Sequence, residues 1–241
     1  MKTVVVTGAS GDIGKEICRE FLNKDYNVVA CCLNNEASAK ELVSQYGGDR
    51  VLCVKADIGV CNDVKRIFEE ANKAFGSIDV VVNNAAISLH GLMQDATEEE
   101  LNRIVDINIK GTFLMCREAV KYMIPSHRGC IVNISSMWGE TGASCEVMYS
   151  MTKSAVIGLT KALAKEVGPS GIRVNCVSPG LIDTKMNSCY TQDDLDAICE
   201  ETPLMRIGTP LDVAKSVVYL NSDDASFITG QILGVNGGFV I

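Results

Sequence analysis

A chain of 241 residues with a formal net charge of −8 has room for one substantial α/β core, and it argues against a nucleic-acid or anionic-membrane partner, since no basic stripe offsets the charge. Eleven cysteines, scattered and odd in number with no C-x-x-C pair, suit reduced thiols and not a disulfide framework, and with only His90 and His127 beside them no metal-ligand spacing exists. There is no run of about 18 apolar residues, and Met1 to Thr7 moves straight into a strand-like segment without a cleavable signal, so a cytoplasmic protein is expected.

In chain order, short β-branched runs fall at Thr3 to Thr7, Val28 to Cys32, Val51 to Lys55, Val80 to Val82, Cys130 to Ile134, Ile172 to Val177 and Ile232 to Val235. Between them lie segments with apolar residues every three or four positions, such as Ile13 to Phe21, Val64 to Phe75 and Leu211 to Leu220. This alternation predicts a doubly wound parallel seven-stranded sheet with helices on both faces, in a single domain over residues 1–241. Helices from about Glu98 to Met123 and from Glu146 to Val167 carry apolar residues over a wide arc, so they need partners on more than one side. The polar segment from Asp183 to Arg206 breaks the rhythm and is expected to be an irregular, mobile substrate lid. Cys31, Cys32, Cys53, Cys130 and Cys176 sit in apolar runs as small core residues, while Cys145, just before the Glu146 helix, is a candidate pocket residue.

Thr7-Gly8-Ala9-Ser10-Gly11-Asp12-Ile13-Gly14 follows the first strand and opens the first helix, where backbone N–H groups and a helix N-terminus can approach a pyrophosphate. Tyr149 and Lys153 are four residues apart on one helix face, which sets an ammonium beside a phenol and is expected to pull the phenol toward neutrality for acid–base work. Ser136 and Asn108 complete a candidate proton-transfer site. Adjacent strand residues face opposite ways, so only one of Ser135 and Ser136 can point into it.

With Asn83-Asn84-Ala85-Ala86, Asn108, Ser136, Tyr149-Ser150-Met151-Thr152-Lys153 and Pro179-Gly180 in order, the chain resembles the classical short-chain dehydrogenases/reductases from Lys2 to its last residue. The resemblance implies a Rossmann fold and a catalytic set of Asn108, Ser136, Tyr149 and Lys153. Tyr149 would give a proton to a carbonyl oxygen while nicotinamide delivers hydride to the carbon. Ser136 would hydrogen-bond the same oxygen, Lys153 would lower the phenol and bind the nicotinamide ribose, and Asn108 would hold a water linking Lys153 to solvent. Cofactor contacts are implied at Gly8, Ser10, Gly11, Asp12, Ile13, Gly14, Asn34, Asp57, Ile58, Asn84, Ala85, Tyr149, Lys153, Pro179, Gly180, Ile182 and Thr184. Two positions depart from the family pattern. Asp12 stands for the middle glycine of the turn, which tolerates it if the carboxylate faces solvent, and Ala86 ends the Asn-Asn-Ala motif. At the end of the second strand Cys32 stands where an acidic residue would grip a ribose 2′-hydroxyl, so NADP(H) is favoured over NAD(H), with Asn34 and Asn35 as phosphate donors.

Within the family the chain looks most like 3-oxoacyl-[acyl-carrier-protein] reductases, through Gly168 to Asn175 and the ending Val235-Asn236-Gly237-Gly238. Of the basic surface that would dock a carrier protein, His127-Arg128 is present, and Ser170 replaces the rest. Ser136 to Val147 also looks like elongation factor P 5-aminopentanone reductases. Trp138, Cys145, Met148 and Met186 are candidate pocket walls, and a homotetramer is implied. A catalytically silent NADP(H) sensor is the competing reading, and retention of all four catalytic residues weighs against it.

Overall fold

A computed structural model describes residues 1–34, 36–188 and 190–241, the side chains of residues 36–39 excepted. Seven strands, β1 (Thr3–Thr7), β2 (Asn27–Cys32), β3 (Val51–Lys55), β4 (Val80–Asn83), β5 (Gly129–Ile134), β6 (Ile172–Pro179) and β7 (Ile232–Val235), pair in the order β3-β2-β1-β4-β5-β6-β7. Every pairing is parallel, as the apolar runs predict. The order reverses between β1 and β4, and the crevice beyond the carboxyl ends of those strands is where such sheets take ligands.

Side-chain alternation divides the core into two layers. Val4, Val6, Val28, Ala30, Val80, Val82 and Val132 face α1 (Asp12–Leu22) and α9 (Pro210–Asn221), meeting Ile17, Phe21, Val213 and Val217. Val5, Val29, Val81 and Ile131 face the other way, toward α3 (Cys61–Phe75), α5 (Thr112–Met123) and α7 (Val147–Val167). Cys18, Cys31, Cys116, Cys130 and Cys176 are buried free thiols, Cys32 is buried beside them, and Cys53 packs at the edge of the core, half-buried. Helix α2 (Glu36–Tyr46) covers the β2–β3 crossover.

Two expectations are corrected. The helix predicted from about Glu98 to Met123 is divided into α4 (Glu98–Val105) and α5 by a wider, π-type turn at Asp106–Gly111. Gly111 passes so close to Ile58 that a Cβ there would come within 2.7 Å of the isoleucine side chain, and the Thr112 hydroxyl takes the Asn108 carbonyl at 2.8 Å. The segment 183–206 is not irregular. It holds a short turn at Lys185–Asn187 and the helix α8 (Gln192–Glu201), begun by a reciprocal cap between Thr191 and Asp194. Among the described residues no helix is long and apolar enough to cross a membrane.

Candidate active site

The turn between β1 and α1 is shaped by what lies against it. Gly8 has φ +65, and a Cβ there would sit 2.9 Å from Ala85 Cα, while one on Gly14 would run into the Gly8 carbonyl. Asn84, expected to meet cofactor, spends its side-chain amide on the carbonyls of Thr7 (3.0 Å) and Gly8 (3.2 Å). The Thr7 hydroxyl in turn receives the backbone N–H groups of Asn84 and Ala85, both at 3.0 Å. The loop after β4 is thereby locked to the glycine turn. Helix α1 carries no side-chain cap, so the first-turn N–H groups are left for an anion. Asp12 is turned aside from that role: its Oδ2 accepts a hydrogen bond of 2.8 Å from Lys185 N at the half-exposed mouth of the turn.

A cavity of about 510 Å³ runs from this turn to Tyr149. Its wall includes all the expected cofactor contacts: Gly8, Ser10, Gly11, Asp12, Ile13, Gly14, Asn34, Asp57, Ile58, Asn84, Ala85, Tyr149, Lys153, Pro179, Gly180, Ile182 and Thr184. Cys32 and Leu33, not an acidic pair, line it at the end of β2, and Asn35 lies outside the described residues. An uncapped helix N-terminus at one end and a lysine at the other fit an extended, doubly phosphorylated nucleotide. Asp57 folds back on its own turn, Oδ1 accepting from Gly59 N at 2.8 Å. Trp138 and Met186 line the wall, as expected, whereas Cys145 and Met148 do not. Cys145 is exposed, with φ +60.

At the other end the adjacent serines face opposite ways. Ser135 Oγ donates to the Lys153 carbonyl at 2.9 Å, whereas Ser136 opens the short helix α6 (Met137–Thr141), accepting from Trp138 N at 3.2 Å, and hydrogen-bonds the Tyr149 phenol. Lys153 Nζ donates to the Ile134 carbonyl at 2.9 Å and lies 5.5 Å from the centre of the Tyr149 ring. Among the cleft's own residues the expected pull of the phenol toward neutrality is outweighed. Burial pushes Tyr149 above its ordinary value, the Ser136 hydrogen bond lowers it less than burial raises it, and the Glu146 carboxylate adds to the rise. Burial also lowers Lys153 to about 8, so the lysine itself holds its charge weakly. Asn108 is buried in the π-type turn. Its side chain clasps Ile87 N and O, each at 2.9 Å, and donates to Thr152 Oγ1 at 3.0 Å.

One residue that motif reasoning passed over stands in the same wall. Glu146, the residue before α7, is buried, does not cap its helix, and lies among Ser88, His90 and Tyr190. Its position three residues before Tyr149 is the signal that would have found it.

The family model described as enoyl-(acyl carrier protein) reductase matches residues 8–240. A Bacillus subtilis protein called uncharacterized oxidoreductase YmfI is 39% identical over 241 residues, covering 99% of this chain and 98% of the relative. The 3-oxoacyl-[acyl-carrier-protein] reductases FabG of Staphylococcus epidermidis and Chlamydia trachomatis are each 36% identical over 239 residues, covering 98% of this chain and 98% and 96% of theirs.

Proposed function

The chain belongs to the short-chain dehydrogenase/reductase family of NAD(P)-dependent oxidoreductases, and from that premise we propose that it is an NADPH-dependent carbonyl reductase of 3-oxoacyl thioesters. The observation that carries this reading is the convergence of Tyr149, Ser136 and Lys153 at one end of a cleft whose other end is the uncapped N-terminus of α1.

The backbone amides of Asp12, Ile13 and Gly14 would hold the pyrophosphate, Asp57 and Ile58 would border the adenine, and Pro179, Gly180, Ile182 and Thr184 would border the nicotinamide. Bound nicotinamide supplies the hydride for the carbonyl carbon. Tyr149 Oη donates the proton to the carbonyl oxygen, and Ser136 Oγ donates a hydrogen bond to the same atom, stabilising the charge that develops there. Lys153 would turn its ammonium to the ribose and the phenol, drawing the Tyr149 proton into the useful range. Asn108, which clasps the Ile87 backbone, would act as a positioning residue and hold a water linking Lys153 to solvent, so that the proton is replaced. With Cys32 and Asn34 at the end of β2, nothing acidic in the described wall there repels a 2′-phosphate, which favours NADP(H).

Exposed Leu101, Phe113, Val147 and Met151 on α4, α5 and α7 support self-assembly through those helices, to a homotetramer. For a carrier protein the basic surface is thin, because the Arg128 guanidinium pairs with Asp79 at 3.0 Å. Cys18, Cys31, Cys61, Cys116, Cys130, Cys145, Cys176 and Cys199 are free thiols, which fits a reducing cytoplasm. Residues 183–206, with Asp12 holding their first turn, would form the lid over bound substrate.

The test is NADPH oxidation followed by absorbance with acetoacetyl thioesters, free and carrier-bound. Turnover with NADPH well above that with NADH supports the reading, and a wild-type protein silent with every carbonyl substrate overturns it.

A further inference from the structure

The first turn of α1 carries a carboxylate that the hydride-transfer chemistry does not use. Asp12 begins the helix whose uncapped N–H groups are left for an anion, and a carboxylate at that place repels the anion those groups attract. A cation nearby would offset the repulsion. In the described wall of the cleft the only lysines or arginines are Lys185 and Lys153, and Lys153 is buried at the Tyr149 end, donating to the Ile134 carbonyl. The Lys185 backbone is held on both sides. Its N–H donates to Asp12 Oδ2 at 2.8 Å, and the short turn it begins is secured by Asn187, whose side-chain amide donates to the Ile182 carbonyl at 2.7 Å. Lys185 itself is exposed, and among the described residues its ammonium makes no hydrogen bond or ion pair. Glu41 on α2 pairs with Lys15 instead; that pair holds the Glu41 carboxyl below its ordinary value, and Lys185 adds least to the effect. The charge of Lys185 is thus at the cleft and unspent.

We propose that Lys185 is a phosphate-binding residue, its ammonium taking the dinucleotide pyrophosphate at the first turn of α1, and that Asp12 is the residue that positions it through the backbone tie. An ammonium on an anionic phosphate makes a charge-assisted contact, stronger than one between neutral groups, and it offsets the repulsion from Asp12. The two residues work as a unit, since the carboxylate that repels the anion also holds in place the lysine that attracts it. Met186 and Tyr190 follow Lys185 in the same segment and line the same cleft, so a phosphate contact at Lys185 also steadies the segment expected to cover substrate. The inference rests on the nicotinamide-cofactor part of the proposed reading and is independent of which carbonyl is reduced.

The experiment measures the dissociation constants of NADPH and NADH, by nicotinamide fluorescence enhancement, in wild type, Lys185→Met, Lys185→Arg, Asp12→Ala and the Asp12→Ala/Lys185→Met double variant. Lys185→Met is expected to weaken both cofactors by about tenfold, because the pyrophosphate is common to both. Lys185→Arg keeps the cation and is expected to stay within about threefold of wild type. The affinity of Lys185→Met should also fall less steeply with salt than that of wild type, a change that lost packing alone would not produce. With Asp12→Ala already present, the lysine substitution is expected to weaken binding by about threefold or less, since the ammonium is no longer positioned. Lys185 is exposed, so its variants are expected to fold as wild type does. Unchanged affinity in Lys185→Met overturns the assignment, and a loss confined to NADPH overturns it by moving the ammonium to the 2′-phosphate. A full loss in the Asp12→Ala background overturns the positioning role of Asp12. A wild type that binds neither cofactor overturns the reductase reading itself, and this contact with it.

Discussion

Asp12 Oδ2 and Lys185 N, 173 residues apart in the chain, are joined by a hydrogen bond of 2.8 Å that ties the first turn of α1 to the start of the segment after β6. The family pattern has glycine at this position of the turn, so the tie is a property of this chain's own carboxylate. Asp12→Ala is expected to speed amide hydrogen exchange at Lys185 by about tenfold, a fall of about 1.4 kcal/mol in the local opening free energy, with the global unfolding free energy almost unchanged. Equal exchange in both proteins would show that the tie does not persist in solution.

Tyr149→Phe removes the proton donor and leaves the ring. The expected loss in turnover with the best carbonyl substrate is about 10²–10⁴-fold, with NADPH binding, measured by fluorescence enhancement, close to that of wild type. In the cofactor-free protein Tyr149 is also expected to be missing from the tyrosines that ionise near pH 10 in an ultraviolet titration, because burial raises its value.

Lys153 gives a stability test with a definite sign. Its value in the folded chain, about 8, lies below the ordinary 10.5, so between those limits the unfolded chain binds more protons and native stability rises with pH. At neutral pH the full cost of the buried ammonium is present. Lys153→Met is therefore expected to be more stable than wild type at pH 7 by about 1–3 kcal/mol in urea denaturation. That advantage should shrink as pH rises through the window from about 8 to 10.5. An advantage that grows with pH would contradict the assignment.

Cofactor choice is testable at the end of β2. Cys32→Asp puts a carboxylate where a ribose 2′-hydroxyl would be gripped and a 2′-phosphate repelled. The ratio of kcat/KM for NADPH over NADH is expected to fall by about tenfold or more. An unchanged ratio would move the selectivity determinant away from this strand.

The strands and the active-site serine, tyrosine and lysine are legible in the sequence because their signals are local. Val4, Val5 and Val6 declare a strand buried on both faces, and Tyr149 and Lys153 declare a helix face by spacing alone. What escaped a linear reading depends on neighbours distant in sequence. The helix expected from about Glu98 to Met123 yields at Asp106–Gly111 because Ile58 and Ile87 are waiting there. The helix α8 was announced by Thr191 and Asp194, a cap signal masked by the polarity of its surroundings. The spacing of Tyr149 and Lys153 predicted a phenol drawn down by an ammonium, but the cleft around them strips both of solvent, and desolvation is the largest cause of the shift in each. Glu146 went unread because a glutamate at the start of a helix ordinarily reads as a favourable first-turn charge, and only the folded chain shows its carboxylate buried against Ser88 and Tyr190.

The π-type turn at Asp106–Gly111 also acts as a phase shift. Each residue of an α-helix advances about 100° around its axis, so the extra residue accommodated by the wider turn rotates everything after it relative to everything before. Through that offset α4 packs against α7 while α5 continues onto α3 and the sheet. Deleting one residue from the turn would restore a regular helix and swing Leu114 and Met115 out of the core, so the length of this stretch is as constrained as its composition.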